Sequence, residues 1–121
     1  MTRINVGIPP KQLNRQHLLA EHREIKRIPN VVSKGKFNLK GQPKEFTLGT
    51  GHVKFFYDKL GYLKKRYEEI YKTCCDRKYN VIYYGGAWDN VPEHLMGDYQ
   101  PTDRDIQIIT ERINERLNGK Q

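Results

Sequence analysis

Thr2, Arg3, Gln16, Arg23, Glu24 and Arg27 are the residues whose types and spacing point to chemistry. Once Met1 is removed, Thr2 presents a free α-amino group beside Arg3. Further along, a helix carries one glutamate among arginines. With Leu13 at 0° and about 100° per residue, Arg23 falls near 280°, Gln16 near 300°, Arg27 near 320°, Ala20 near 340° and Glu24 near 20°. These five share an arc of about 100°. Four are polar, and Ala20 is small enough to let another chain or a ligand come close. An α-amine, a hydroxyl, a carboxylate and three guanidiniums form an amine-nucleophile site for a polyanion.

The α-amine matters because of its pKa. Such a group titrates near 7.7–8.0 and a lysine near 10.4, so at pH 7 roughly 10% of the first is neutral and well under ~0.1% of the second. The cations of Arg3, Arg23 and Arg27 push the amine lower still. A neutral amine attacks an electrophilic carbon and forms a Schiff base. Glu24 is then placed to hold the developing cation or to move protons during a later elimination. His17, near 40° on the same helix, fits a phosphate contact or a proton shuttle. The same arc also fits a plain solvated face with His17 as a polar surface residue.

A chain of 121 residues and 14.3 kDa is expected to form one domain over 1–121. Mean hydropathy of −0.86 and 30% charged residues leave no apolar run long enough for a membrane span. The N-terminus has no apolar signal segment, so the expectation is an intracellular, cytoplasmic protein acting as a monomer. A net charge of +8 and a pI near 9.5 favour a polyanionic partner or a solubilising surface. Cys74 and Cys75 are adjacent and cannot form an ordinary disulfide with each other. With four scattered histidines (His17, His22, His52, His94), no zinc-ligand spacing occurs.

The elements that must position these groups follow from periodicity and punctuation. Residues 2–10 read as an extended arm stiffened by Pro9-Pro10. A first helix is expected from Lys11 or Gln12 to Ile28, stopped by Pro29 and Asn30, with Leu18, Ile25 and Ile28 buried. Residues 29–50 read as a long basic connector, either functional or purely structural. A second helix is expected over 51–77, with Val53, Phe56, Leu60, Leu63, Tyr67, Ile70 and Cys74 as its buried stripe. Lys64-Lys65-Arg66 on this helix suits either a grip on a backbone or plain solvation. Residues 78–101 are irregular, broken by Gly85-Gly86, Pro92, Gly97 and Pro101. A last helix starts near Thr102, capped by Thr102 or Asp103, with Ile106, Ile109, Ile113 and Leu117 inward. Arg112 and Arg116 share its solvent face. The fold expected is all-α, with three main helices joined by long loops.

The start, TRINVGIPPKQLNRQHLLAEHREIKRI, resembles the bacteriophage pyrimidine-dimer DNA glycosylases with abasic-site lyase activity, the endonuclease V family. The run LGTGHVKFFYDKLGYLKKR resembles that family's second helix, and GDYQP with the helix after it resembles the start of the third. The resemblance implies a three-helix fold, damaged double-stranded DNA as partner, and neither cofactor nor metal. It implies that Thr2 is the nucleophile and Glu24 the essential carboxylate. Arg3, Arg23 and Arg27 match phosphate-binding and site-forming arginines, Gln16 and His17 a pair at the DNA surface, and Arg112 and Arg116 basic positions on the third helix. The function implied is a glycosylase with coupled β-elimination, probing pyrimidine dimers or another altered base. A basic DNA-binding module without catalysis is the alternative.

The sequence departs from the family pattern in three places. One extra residue precedes Gln16, and Lys26 replaces the usual proline, which is expected to make that turn more regular. The family's chains also run on into an aromatic, basic tail past the point where this sequence ends. The expected substitute is Ile82-Tyr83-Tyr84-Gly85-Gly86-Ala87-Trp88, whose rings Tyr83, Tyr84 and Trp88 either stack on bases of opened DNA or pin the loop to the helices.

Overall fold

A computed structural model describes the backbone of residues 2–118 and the side chains as far as residue 115. Among them run α1 (Arg15–Glu24), α2 (Arg27–Ser33), α3 (His52–Phe55), α4 (Leu60–Asp76) and α5 (Asp103–Asn118), with no strand. The architecture is all-α, as the periodicity implied. No helix among the described residues is long and apolar enough to cross a membrane.

The first expected helix is two. Residues 10–12 form a separate 3-10 turn, and α1 begins only where Asn14 accepts the His17 N–H at 2.8 Å. Pro29 does not stop the chain; it sits inside α2. Proline has no N–H to give the carbonyl four residues back and crowds it. That carbonyl belongs to Ile25, where the ladder breaks between α1 and α2. Lys26 therefore does not regularise the turn, because the break is imposed from Pro29.

The second expected helix is also divided, into α3 and α4. The Met96–Gly97 segment lies against the start of α4, where Lys59 pairs with Met96 and the Tyr62 N–H donates to the Gly97 carbonyl at 3.0 Å. Gly61 makes this approach possible, since a Cβ there would stand 2.5 Å from the Met96 oxygen. The stripe keeps its phase across the break: Phe56, Leu60, Leu63, Tyr67, Ile70 and Cys74 are all buried. Leu18, Ile25, Ile28 and Ile109 of α5 belong to the same buried cluster. Ile106 and Ile113 are half-buried, and the Leu117 side chain lies outside the described residues.

α5 opens with a reciprocal cap. The Asp105 N–H donates to Thr102 Oγ1 and the Thr102 N–H donates to Asp105 Oδ2, each at 3.1 Å. The N-terminal arm is not extended throughout. It bends at Val6-Gly7, where Gly7 takes φ 78° and the Ile8 N–H donates to the Asn5 carbonyl at 3.2 Å.

The basic connector is anchored rather than loose. Phe46 is buried and meets Phe55 and Phe56 edge-on at 5.9 and 6.1 Å. Gln42 Nε2 donates to the carbonyls of Lys54 and Phe55 and to Asp58 Oδ1, all within 3.1 Å. A disordered linker would tolerate loss of the ring. Phe46→Ala is instead expected to cost about 3–5 kcal/mol, as for other buried aromatics. Urea denaturation checks this, and a midpoint unchanged from the parent protein contradicts it.

Candidate active site and DNA-facing surface

Ile4, Asn5 and Val6 are all buried, so the arm is threaded into the molecule rather than laid on it. The Ile4 N–H donates to His52 Nε2 at 2.9 Å. Asn5 bonds Glu21 twice, through its N–H at 3.3 Å and its Nδ2 at 2.7 Å. Glu21 in turn accepts from Arg66 of α4, from Nη2 at 2.9 Å and from Nε in a short ion pair. The remaining Arg66 nitrogen, Nη1, donates to the Ile8 carbonyl at 2.9 Å. Arg66 is thus no surface grip: it is 6% exposed and Glu21 1%.

This cluster anchors the arm against α1 and α4. Thr2 is half-buried, three residues before Asn5. Glu24 lies one turn beyond Glu21, about 4.5 Å along the helix axis. Three residues of chain span about 10 Å at most, so Thr2 lies no farther than that from Asn5 and the Glu21 end of α1. Glu24 is partly covered and its Oε2 stands 3.6 Å from Arg23 Nη2. Arg23 and Arg27 are exposed, and the charge of Arg3 bears on the buried His52 ring.

The other expected contacts extend along α1. From Gln16 to Glu24 the rise is about 12 Å, so α1 presents Gln16 and His17 near one end and Arg23 and Glu24 near the other, with Arg27 just past the break at the start of α2. His17 borders a cavity of about 310 Å³ shared with Leu13 and with Thr110, Ile113 and Asn114 of α5. That places the second half of α5 beside the start of α1. Arg112 is half-buried, with its Nη1 3.6 Å from Glu115, rather than turned wholly to solvent. The Arg116 side chain lies outside the described residues.

The aromatic loop is divided between packing and exposure. Trp88 is 4% exposed and packs on Tyr67 at 5.3 Å between ring centres. Tyr84 meets His22 at 5.1 Å and takes the Lys26 ammonium over its face at 3.9 Å. Tyr83 is 47% exposed and Ile82 69%. Of the three expected stacking rings, Trp88 is committed to the core, while Tyr83 is half-exposed with its ring against Tyr71 at 4.9 Å and its hydroxyl bonded to Glu68 and Lys64.

His22 and Tyr67 fasten this loop to α1. The Tyr84 N–H donates to the Tyr67 hydroxyl at 2.7 Å, and that hydroxyl donates to His22 Nε2 at 3.1 Å. The other ring nitrogen bonds the Ile82 carbonyl. Burial pushes the Tyr67 hydroxyl up to about 12, keeping its proton available for the bond. Sequence reasoning missed Asn5, Glu21, His22, His52 and Arg66 as site-forming residues. The one signal available was that Glu21 and His22 lie outside the charged arc, near 80° and 180°.

Residues 1–83 match the family model described as pyrimidine dimer DNA glycosylase. The matched stretch contains the arm, the Asn5–Glu21–Arg66 cluster and the whole of α1 to α4.

Both His22 and His52 act as acceptors at Nε2, and burial lowers the pKa of each. Unfolding returns them to ordinary values near 6.5. The unfolded chain then binds more protons than the folded one as pH falls below about 6.5, so stability held above that pH is lost. The melting temperature is expected to drop between about pH 6.5 and 5, above the carboxylate range. His22→Phe should flatten that slope; a parent Tm that stays level or rises on acidification contradicts the assignment.

Proposed function

The chain belongs to the pyrimidine dimer DNA glycosylase family, and on that premise we propose that it is a DNA repair glycosylase with coupled abasic-site lyase activity. In this reading the neutral Thr2 amine attacks the anomeric carbon of a damaged nucleotide. The base leaves with the bonding electrons; the bond from the anomeric carbon to the ring oxygen then opens, that oxygen taking a proton from the attached nitrogen, and an iminium joins protein to sugar. Glu24 stabilises that cation and accepts a proton from the adjacent sugar carbon. The carbon–oxygen bond to the 3′ phosphate then breaks, and water later releases the sugar from the amine. Reaching the anomeric carbon requires the duplex to be distorted or a nucleotide to leave the stack.

The observation that carries this reading is the tether: Asn5, three residues after Thr2, is bonded to Glu21, one helical turn from Glu24. Around it, Arg3, Arg23, Arg27, Gln16, His17, Arg112 and Arg116 are assigned to DNA, chiefly to its phosphates. Tyr83, with the exposed Ile82, is assigned to the opened strand. Tyr84 and Trp88 hold the loop that carries it. Pyrimidine dimers are the lesion the family points to.

Borohydride trapping on duplexes carrying a dimer, an abasic site or no damage tests the mechanism. With protein lacking Met1, an adduct mapping to Thr2 is expected on the damaged duplexes alone. Glu24→Gln is expected to keep DNA affinity within about twofold, the scale of a weak exposed contact, and to abolish strand cleavage. Full affinity with no adduct from the parent protein favours a binding module without catalysis.

Five arginines facing phosphates also make a salt prediction. The logarithm of affinity should fall against the logarithm of salt with a slope of roughly −4 to −5. A response near zero removes the phosphate assignments, whatever the chemistry at Thr2.

A further inference from the structure

Asn5 is an expensive residue for its position. It is 4% exposed, and its Oδ1 is buried with no hydrogen-bond partner among the described residues. Its orientation is fixed, because turning the amide over would set Oδ1 against the Glu21 carboxylate in place of Nδ2 at 2.7 Å. A buried acceptor left unsatisfied costs folding free energy. A leucine of similar size would fill the same space without that cost. Folding alone therefore does not account for an asparagine here.

What the side chain does supply is a link in register. Its Nδ2 and its backbone N–H converge on one oxygen, Glu21 Oε1. Glu21 is held by Arg66 through two nitrogens, and Arg66 also holds the Ile8 carbonyl on the far side of the Gly7 turn. The arm is therefore gripped on both sides of its bend by charges anchored in α1 and α4. Sliding it by one residue would break the three bonds that hold it, Asn5 N–H and Nδ2 to Glu21 and Arg66 Nη1 to the Ile8 carbonyl.

Building on the amine mechanism proposed above, we propose that Asn5, Glu21 and Arg66 form a positioning clamp for the nucleophile. The clamp fixes how much chain projects past Glu21 and so where the Thr2 amine stands relative to Glu24 and to the arginines. These three are positioning residues: none is assigned to the reacting atoms. A displacement of about 1 Å at a reacting centre lowers rates by about 10²-fold, which sets the size of effect expected.

Asn5→Leu separates positioning from folding. The variant keeps the Glu21–Arg66 pair and the Asn5 backbone bond, and removes only the Nδ2 link. Its melting temperature should equal or exceed that of the parent, and its affinity for an abasic duplex should stay within about threefold. Single-turnover imine trapping should slow by about 10²-fold. The pH midpoint of trapping should also rise toward the ordinary α-amine range, because the loosened amine spends less time near the arginines. Glu21→Gln leaves Arg66 without its counter-charge, and that uncompensated cation pushes the midpoint down, so this variant is read by its trapping rate, which should fall in whatever fraction remains folded.

Trapping by Asn5→Leu at the parent rate with the parent pH midpoint overturns the clamp. So does a loss of rate that merely tracks a loss of Tm and affinity. If the parent protein forms no adduct, the amine mechanism itself has failed, and the variants are then compared by protection of the arm from proteolysis. Equal protection in parent and Asn5→Leu overturns the clamp in that case as well.

Discussion

The buried Glu21–Arg66 pair is the interaction on which the rest of the arrangement depends. Two charges taken out of water are costly unless every lone pair and proton finds a partner. Here nearly all do: Glu21 accepts from Asn5 twice and from Arg66 twice, and Arg66 spends its third nitrogen on the Ile8 carbonyl. Satisfying the pair thus requires the arm, α1 and α4 to be in place together. Removal of either charge would strand the other in the interior, at a cost of about 3–5 kcal/mol. In exchange, Asn5, three residues after Thr2, is held as a core residue is.

How much of this was legible in the sequence depended on whether the signal was periodic. The buried stripe from Phe56 to Cys74 and the cap at Thr102 repeat at helical spacing, so they could be read without neighbours. Breaks in the ladder were harder. Pro29 marks its effect at Ile25, four residues upstream, because it acts on a carbonyl and not on itself. The interruption before α4 is written mostly in Gly61 and in a segment near residue 97, far along the chain. Single insertions such as Phe46 have no period at all.

The site was legible in part, for a related reason. Helical geometry could gather Arg23, Arg27 and Glu24 on one arc, since all three lie on or next to one helix. It could not tell which of two glutamates a turn apart goes inside. Glu21 and Glu24 differ in their surroundings, and those are supplied by Asn5 and Arg66 from other parts of the chain. Arg66 stood in a run with two lysines and looked solvated by association. Guanidinium groups suit burial better than ammonium groups, being planar and able to satisfy a carboxylate at two points. In the aromatic loop, composition likewise could not show that Trp88 is buried while Tyr83 stays half-exposed against α4.

The charge balance of the clamp has a bearing on the chemistry proposed for Thr2. An arm could be held equally well by an unpaired carboxylate, but a nearby negative charge favours the protonated amine. At a separation of about 10 Å and an effective dielectric constant of about 20, one unit charge is worth roughly 1.7 kcal/mol. That is a little over one pKa unit, in the direction that would leave less neutral amine at pH 7. Arg66 cancels most of this field at its source. The arm keeps the geometry of a carboxylate anchor, and the net field at its end is left to the cations of Arg3, Arg23 and Arg27. In the mechanism proposed, those arginines then serve two purposes that would otherwise conflict, drawing phosphate groups to the surface and holding the Thr2 amine neutral.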